Sequence, residues 1–367
     1  MSRIMFVSAD AGGNLPPALA LARTLAAHGH EVAIAGSPRQ STRVGDVAFR
    51  SLPALADWPD PTAPCSAVAT VRKYLRLAAS RRIAADAAAA ARDWAADAVV
   101  VDCMMPSSAQ AVHESGKRTA ILFHTLLSYW TGPWAHGPIG GLARLAGTDA
   151  VRAWSQADAR LVTTVRELDS GSLPETSWIG TTESGVAAMP AEPPLVLVSF
   201  SSIFYPGQAA AYRNVIAALG TLPVRAIVTI GAGESIGGET PPNVEVRGYA
   251  DHSQLMPGAA LVITHGGHST TLKALAHGIP VLVVPMYFPV DHPIIGRSVE
   301  QAAVGAVVSH KARPAEFAAA IAGLLGDPAR AVAARALGER IRATDAAESA
   351  ARIIAGLAPS SNAVESR

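Results

Sequence analysis

Short β-branched runs alternate along the first half of the chain with longer stretches in which apolar residues recur at helical spacing. The runs that predict strands are 4–8, 31–35, 98–101 and 120–123. Helical spacing covers residues 15–28 and 70–96, whereas the stretch 124–141, rich in Trp, Gly and Pro, predicts a loop. Strands that alternate with helices predict a parallel sheet with helices on both faces.

The second half of the chain repeats this plan. Its strand-like runs are 195–200, 225–230, 243–249, 260–265 and 280–285. Between the halves, "MPAEPP" (189–194) has three prolines in six residues and predicts a stiff linker. The predicted fold class is therefore α/β, with two Rossmann-like parallel-sheet domains, 1–188 and 195–340, facing a cleft. In such sheets ligands bind beyond the carboxyl ends of the strands.

Composition and charge narrow the classes of function. Half of the 367 residues are hydrophobic, yet no run approaches the roughly 20 apolar residues of a membrane-spanning helix. The 30 basic residues balance 29 acidic ones, so charge does not favour nucleic-acid binding. The apolar run near Met1 is too short for a signal peptide, and we expect a cytoplasmic protein. Cys65 and Cys103 have neither a metal-binding spacing nor an expected disulfide.

The stretch "THGGHSTTLKALAHGIPVLVVP" (264–285) carries the clearest chemical signal. A strand ends at His265, two glycines turn the chain, and Ser269 or Thr270 can cap the helix that follows. A helix N-terminus offers free backbone N–H groups and a positive dipole end, and glycines allow close approach of a ligand. This arrangement predicts a phosphate-binding turn.

Two other interpretations of this turn remain open. Gly266 and Gly267 can simply form a tight turn after a strand. His265 and His268 can also bind a metal, with Asp291 or His292 as a further ligand supplied by the fold, although their spacing straddles the turn.

The block "THGGHSTTLKALAHGIPVLVVPMYFPVDHPIIGRSV" (264–298) resembles the donor-binding signature of two-domain, GT-B fold glycosyltransferases. The family in question transfers sugars from UDP- or dTDP-sugars to small molecules. Further segments resemble other parts of the same family, namely "LVLVSFSSIF", "VRGYADHSQLMPGAALVITHGG", "FVSADAGGNLPPALALARTLAAHGHEV" and "VVVDCMMPSSAQAV". The resemblance also implies that a helix, from about 331 to 357, crosses back to the first domain over 341–357, with a flexible tail at 358–367.

The resemblance implies a role for each matching position of the donor site. The implied donor-binding residues are Ser201 and Ser202 beside the phosphates, Tyr249 and Ala250 at the nucleobase, His265, Gly266, Gly267, His268, Ser269 and Thr270 at the pyrophosphate, and Asp291 and His292 at the sugar. The family usually has Gln after that Asp, so the histidine at this position implies a different hydroxyl pattern or a deoxysugar.

The catalytic position departs from the family pattern. The family's first loop usually carries a His or Asp that takes the acceptor proton, but here the motif is "GNLPP" and the position is Asn14. An amide cannot act as a general base near neutral pH. The candidate bases are Asp10 on the same loop, His124 at a strand end, and Asp102, whose implied role is to orient the base. An acceptor that needs no base, or an inactive chain, would also explain the asparagine.

The acceptor would contact aromatic side chains, of which the candidates are Trp58, Phe123, Tyr129, Trp130 and Trp134. The alternative is that these residues belong to the domain core. The resemblance implies an inverting, metal-independent glycosyltransferase with no cofactor, which uses a dTDP- or UDP-sugar. Together with the aromatic residues, it implies that the acceptor is a small, largely apolar, polyketide-like natural product. We expect a monomer or homodimer without nucleic-acid or membrane partners.

Two other functions remain open on the same fold: a sugar-nucleotide epimerase, and a non-catalytic helper subunit of a transferase. A nicotinamide oxidoreductase is disfavoured because "DAGGNLPP" lacks the Gly-x-Gly-x-x-Gly turn.

Overall fold

The computed structural model describes residues 1–60, 66–200, 205–231, 236–248, 250–286 and 290–358. The chain divides into two compact units. The first contains residues 1–166, 170–182 and 345–367, and the second contains 167–169 and 183–344. The division after Thr182 falls a few residues before the Pro-rich stretch 189–194.

The first unit is built on a parallel sheet. Its strands are β1 (Arg3–Val7), β2 (Glu31–Gly36), β3 (Ala48–Ser51), β4 (Ala98–Asp102), β5 (Arg118–Phe123), β6 (Ala159–Val162) and β7 (Thr176–Trp178). They lie in the order β3-β2-β1-β4-β5-β6-β7, and each neighbouring pair is parallel. The helices between them are α1 (Leu15–Ala27), α2 (Ala67–Ala79), α3 (Arg81–Asp93), α4 (Pro106–Glu114), α5 (Leu127–Tyr129), α6 (Pro138–Leu145) and α7 (Ala150–Gln156).

The second unit has the same kind of sheet. Its strands are β8 (Leu195–Ser199), β9 (Arg225–Thr229), β10 (Val244–Arg247), β11 (Ala259–Thr264), β12 (Val281–Val283) and β13 (Gly305–Val307). Their order is β10-β9-β8-β11-β12-β13, again parallel throughout. The helices are α8 (Gln208–Leu219), α9 (His252–Leu255), α10 (His268–Ala276), α11 (His292–Gln301), α12 (Pro314–Leu325) and α13 (Pro328–Arg342).

The last helix, α14 (Ala346–Leu357), belongs to the first unit. Its small and branched side chains are buried in the same core as the apolar face of α1. At the edge of this packing, His28 Nε2 lies 2.9 Å from Glu348 Oε1. Burial of an apolar helix face of this kind supplies most of the stability of such an element. The C-terminus therefore contributes to the core that begins with β1.

The parallel sheets with helices between the strands confirm the predicted fold class, but several predicted elements were wrong. The expected helix 70–96 is two helices, because Ser80 ends α2 with extended backbone and its hydroxyl caps α3. The expected helix 331–357 is interrupted between α13 and α14, where Asp345 caps the second helix. The expected loop 124–141 is largely helical, and includes a single π-helical turn at Trp130–Trp134. Four short strands, β3, β6, β7 and β13, were not predicted.

No single helix among the described residues is long and apolar enough to cross a membrane, although α12 and α13, bent by 68°, pass that test as a pair by length and composition.

Candidate functional site

Each sheet has one point at which the direction of strand addition reverses, and polar residues gather at both points. In the first sheet the reversal lies between β1 and β4, and in the second between β8 and β11. The loops after such strands diverge and leave room for a ligand at their carboxyl ends. Asp10, Asn14 and Asp102 follow or end β1 and β4, and His265 follows β11.

The glycines after β11 are required by the packing of the turn. Gly266 has a φ of +90°, and a Cβ there would lie 3.0 Å from the His292 carbonyl oxygen. A Cβ on Gly267 would lie 2.6 Å from the His265 ring. A side chain at either position would strain the backbone or displace the imidazole. The two glycines therefore allow two histidine rings to lie against the start of α10.

The two histidines at this turn are buried and face each other edge to face. Their ring centroids are 4.7 Å apart, and Tyr205 packs against His292 at 5.3 Å. Burial lowers the pKa of His265 to about 4, opposed in part by a hydrogen bond with the backbone of Ser199. Burial, and then repulsion from His265, lowers the pKa of His292 well below its ordinary value. Both imidazoles are therefore neutral at pH 7.

Each of these rings keeps one nitrogen without a hydrogen-bond partner among the described residues, namely Nδ1 of His265 and Nδ1 of His292. A buried polar atom without a partner costs free energy, and native proteins rarely keep one without a reason. The pair is available to a ligand that accepts hydrogen bonds or donates them.

The helix after the turn begins differently from the predicted capping. Gly267 is the N-cap of α10, and not Ser269 or Thr270, which lie in the first turn. The first intrahelical hydrogen bond runs from Thr271 N–H to the Gly267 carbonyl, at 3.0 Å. The preceding N–H groups have no intrahelical acceptor, as at every helix start. The Ser269 hydroxyl donates to Glu183 Oε1 at 2.6 Å, so in this arrangement its proton is not offered to a ligand.

The remaining predicted donor residues divide into three groups. Asp291 is the N-cap of α11 and His292 its first residue, which places both beside the glycine turn. Ala250 and His268 are half-buried, the latter at the first position of α10. Ser201, Ser202 and Tyr249 lie outside the described residues.

Asn14 occupies the centre of the polar cluster in the first unit. Its Nδ2 lies 2.8 Å from Asp102 Oδ2, 2.8 Å from the Ala9 carbonyl and 3.0 Å from Ser8 Oγ. Its Oδ1 accepts a hydrogen bond from Ala11 N–H at 2.9 Å. The side chain is 1% exposed. Asn14 therefore connects the loop after β1 to the end of β4. Because both of its amide atoms are hydrogen-bonded, it has no free group that could act as a base.

Asp10 is also fully engaged within the first unit. Its Oδ1 accepts from Gly12 N–H at 3.1 Å, and its Oδ2 forms a short ion pair with Arg43. Its backbone carbonyl accepts the Trp58 indole N–H at 2.6 Å. Because both carboxylate oxygens are already engaged, neither is free to take a proton from an acceptor. The structure favours a structural role for this residue.

The Asp102 carboxylate and the His124 imidazole lie side by side. Nδ1 of His124 is 3.4 Å from Asp102 Oδ2 and 3.6 Å from Cys103 Sγ. Met104 N–H donates to Asp102 Oδ1 at 2.9 Å, so both carboxylate oxygens are oriented. Burial, and then the Asp102 charge, raises the pKa of the Cys103 thiol well above its ordinary value, which keeps it protonated. His124 is the most exposed of the three, with 13% of its side chain accessible.

Most of the predicted acceptor-binding aromatics pack against one another. Phe123, Tyr129, Trp130 and Trp134 are all less than 9% exposed. Trp154, which the sequence analysis did not single out, completes the cluster, with its ring 5.3 Å from Phe123 and 5.6 Å from Trp134. Trp130 differs from the others because its ring lies 5.2 Å from the His124 ring, and its indole nitrogen lacks a partner among the described residues. The cluster is largely core, with one member beside a candidate catalytic group.

Trp58 lies at a separate position, on the wall of a cavity of about 550 Å³. The same cavity is lined by three basic side chains of α2, from Arg72, Lys73 and Arg76. Lys73 Nζ lies 5.9 Å from the Trp58 ring centroid, and Arg76 is paired with Asp57 at 2.6 Å. A cavity of this volume is in the range that holds small molecules.

Sequence reasoning did not identify Arg43 or Glu183, and it did not predict that Cys103 lies beside His124. Cys103 had a visible signal, because it follows Asp102 directly at a strand end. Arg43 and Glu183 had none, since their partners Asp10 and Ser269 are distant in sequence.

Comparison with known proteins agrees with this architecture. Residues 213–356 match the family described as erythromycin biosynthesis protein CIII-like, C-terminal domain. Demethyllactenocin mycarosyltransferase of Streptomyces fradiae is 35% identical over 94 residues, 25% of this chain and 20% of that protein. O-mycaminosyltylonolide 6-deoxyallosyltransferase of the same organism is 36% identical over 107 residues, 29% of this chain and 25% of that protein. The matched part of this chain thus spans a quarter or less of each relative's length.

Solved structures resemble the whole chain. The glycosyltransferase of kitacinnamycin has a TM-score of 0.78 at 22% identity, covering 98% of this chain and 99% of that one. Glycosyltransferase VinC, solved with dTDP, has a TM-score of 0.70 at 17% identity, covering 97% and 99%. LpCGTa, solved with UDP, has a TM-score of 0.75 at 18% identity, covering 98% and 100%. The GT-B fold and the resemblance to natural-product glycosyltransferases are confirmed.

Proposed function

We propose that this chain is an inverting glycosyltransferase that uses a dTDP- or UDP-sugar and a small natural-product acceptor. The observation that carries the proposal is the glycine turn after β11. Two neutral, buried histidines with unpartnered nitrogens lie there beside the N-terminus of α10. Hydrogen-bond donors and a positive helix end in a buried place suit a diphosphate. VinC and LpCGTa were solved with the two nucleotides that we name.

In the proposed reaction, an acceptor oxygen forms a bond to the anomeric carbon as the bond from that carbon to the diphosphate breaks. The leaving diphosphate takes the electron pair and gains charge. Neutral His265, the N–H groups of the turn and the dipole of α10 stabilise that charge. These groups carry out the role of a metal, so sugar departure needs no cofactor.

The acceptor proton goes to His124 in this proposal. Asn14 is an amide and Asp10 is held by Arg43, whereas the imidazole is partly exposed and its Nδ1 faces a carboxylate. Asp102 then orients the ring and stabilises the imidazolium, as a carboxylate does beside a catalytic histidine. The 3.4 Å separation is long for a hydrogen bond, but such contacts commonly tighten when substrate binds.

The acceptor-binding groups are proposed to be Trp130, next to His124, and Trp58 with the cavity beside α2. We further propose that the protein acts in the cytoplasm as a monomer or homodimer.

The experiment is calorimetric titration of the full chain with UDP and dTDP in EDTA, followed by transfer assays. Binding of either nucleotide in EDTA is expected, because in this proposal N–H groups, neutral imidazoles and the dipole of α10, and not a metal ion, stabilise the diphosphate. Absence of binding would overturn the donor site. It would favour the alternative of a non-catalytic helper subunit, which is consistent with an asparagine at the usual position of the base.

The assignment of the base is tested with His124→Ala, which we expect to lower transfer by about 10²–10⁴-fold while nucleotide affinity stays unchanged. His136→Ala is the matched control, since His136 is an exposed histidine of the same segment. An active His124→Ala enzyme would show that the base lies elsewhere or that the acceptor needs none.

A further inference from the structure

Three different metal-ligating side chains meet at the end of β4 and β5. The carboxylate of Asp102, the thiol of Cys103 and the imidazole of His124 each offer one atom, and these atoms lie within 4.8 Å of one another. Among the described residues, no other group of three such side chains is as close. The sequence predicted no metal site here, because two of the ligands are adjacent and the third lies on the next strand.

The separation between the imidazole and the carboxylate is longer than an ordinary hydrogen bond. An N–H···O bond has a usual length of about 2.7–3.2 Å, whereas His124 Nδ1 lies 3.4 Å from Asp102 Oδ2. Around tetrahedral zinc, the bond lengths place a nitrogen and an oxygen ligand about 3.4 Å apart, and a nitrogen and a sulfur ligand about 3.6 Å apart. The observed distances are 3.4 and 3.6 Å.

The ligands are also held in place by neighbouring groups. Asn14 Nδ2 lies 2.8 Å from Asp102 Oδ2, and Met104 N–H donates to Oδ1 at 2.9 Å. Groups that orient metal ligands in this way contribute to metal affinity because the site needs little rearrangement. Three protein ligands leave a fourth position open to water, as in zinc sites that are not purely structural.

We propose that Asp102, Cys103 and His124 form a binding site for a borderline-soft divalent cation of the zinc class, whose occupancy inhibits sugar transfer. On binding, the thiol S–H bond breaks, a sulfur–metal bond forms and the proton goes to solvent. An ion on Nδ1 leaves the imidazole proton on Nε2, so the ring can no longer accept a proton from the acceptor. The inhibition rests on the proposed role of His124, whereas the binding does not.

Cobalt(II) is the probe for the binding half of the proposal, because cobalt bound to a thiolate has a near-ultraviolet absorption band that aqueous cobalt lacks. The chain has two cysteines, so the titration uses full-length Cys65→Ser protein, in which Cys103 is the sole thiol. We expect one equivalent of cobalt with the thiolate band, displaced by zinc. Loss of the band and at least about tenfold weaker binding are expected in Cys103→Ser. Absence of the band in Cys65→Ser protein would overturn the site. This outcome does not depend on the folding of a ligand variant, because Asp102, Cys103 and His124 are all intact in that protein.

The inhibition half is measured as the ratio of transfer with zinc to transfer in EDTA, taken separately for each protein. Zinc should lower this ratio in wild type and in Cys65→Ser, and much less in Cys103→Ser. Zinc binding without inhibition would overturn this half and count against His124 as the base. A ratio that zinc lowers as much in Cys103→Ser as in wild type would place the inhibitory ion elsewhere. Nucleotide titration in EDTA, which reports on the second unit, separates these results from failure of the donor site.

Discussion

The two sheet reversals carry histidines in opposite chemical surroundings. At the β8–β11 reversal, His265 and His292 are buried against each other with unpartnered nitrogens, and burial lowers the pKa of both. Beside the β1–β4 reversal, His124 at the end of the adjacent strand β5 faces the Asp102 carboxylate and the Cys103 thiol, and Asp102 also contacts Asn14. Histidines near the reversal points of two similar sheets therefore have different electrostatic surroundings.

This difference indicates how one type of side chain serves two tasks. Neutral imidazoles that lack partners suit an anion, because they can donate hydrogen bonds without first breaking an internal ion pair. An imidazole beside a carboxylate suits a proton or a cation, because negative charge stabilises either one. The first arrangement predicts nucleotide binding and the second predicts proton transfer and metal binding.

The largest expected effect concerns the pH dependence of stability. The folded-state pKa of His265 is about 4, below the unfolded value of about 6.5, so the unfolded chain binds the proton first as pH falls. The contribution of neutral His265 to the free energy of unfolding is therefore fully present above about pH 6.5. It declines as the pH falls towards 4, by about 3 kcal/mol over the whole window. Urea unfolding at pH 7 and pH 4.5 should show a larger decline for wild type than for His265→Gln. Equal declines would mean that burial does not suppress protonation of this ring.

The next effect concerns the glycine turn. In Gly267→Ala the new Cβ would lie 2.6 Å from the His265 ring and displace it. Overpacking of this kind costs about 1–3 kcal/mol, and we expect nucleotide affinity to fall by about thirtyfold. Calorimetry with the nucleotide that wild type binds measures this directly.

Gly323→Ala is the matched control for the turn variant. Gly323 is an exposed position inside α12 with open space around its Cβ site. Alanine there should leave nucleotide affinity unchanged and raise stability by about 0.5–1 kcal/mol. A comparable loss of affinity in both variants would show that the turn has no special role.

The smallest expected effect sharpens the comparison within the first unit. Asp10→Asn removes the ion pair with Arg43, whose side chain is 45% exposed and can return to water. We expect a loss of stability of about 1 kcal/mol and transfer within about threefold of wild type, measured by thermal unfolding and initial rates. If Asp10→Asn abolished sugar transfer but left nucleotide binding intact, Asp10 would be the base in place of His124.

The sequence alone was sufficient for the repeated α/β plan and for the glycine turn. Fully buried strands such as β4 and β8 are unbroken apolar runs, and the helix after β11 has two glycines before it and one after it. The missed strands are short; β7 is only half-buried, and all four residues of β3 are exposed or half-exposed. Their place in the sheet depends on neighbours, so local periodicity could not identify them.

Sequence determined which chemical groups this protein has at its strand ends: an asparagine where a base was expected, an adjacent Asp102 and Cys103, and two histidines around the glycine turn. Only the tertiary structure decided what each group does. Asn14 donates a hydrogen bond to Asp102, and Arg43 forms an ion pair with Asp10. His124 lies beside both the Asp102 carboxylate and the Cys103 thiol. The physical reason is that charge state and hydrogen bonding depend on burial and on partners distant in the chain, which no local pattern records.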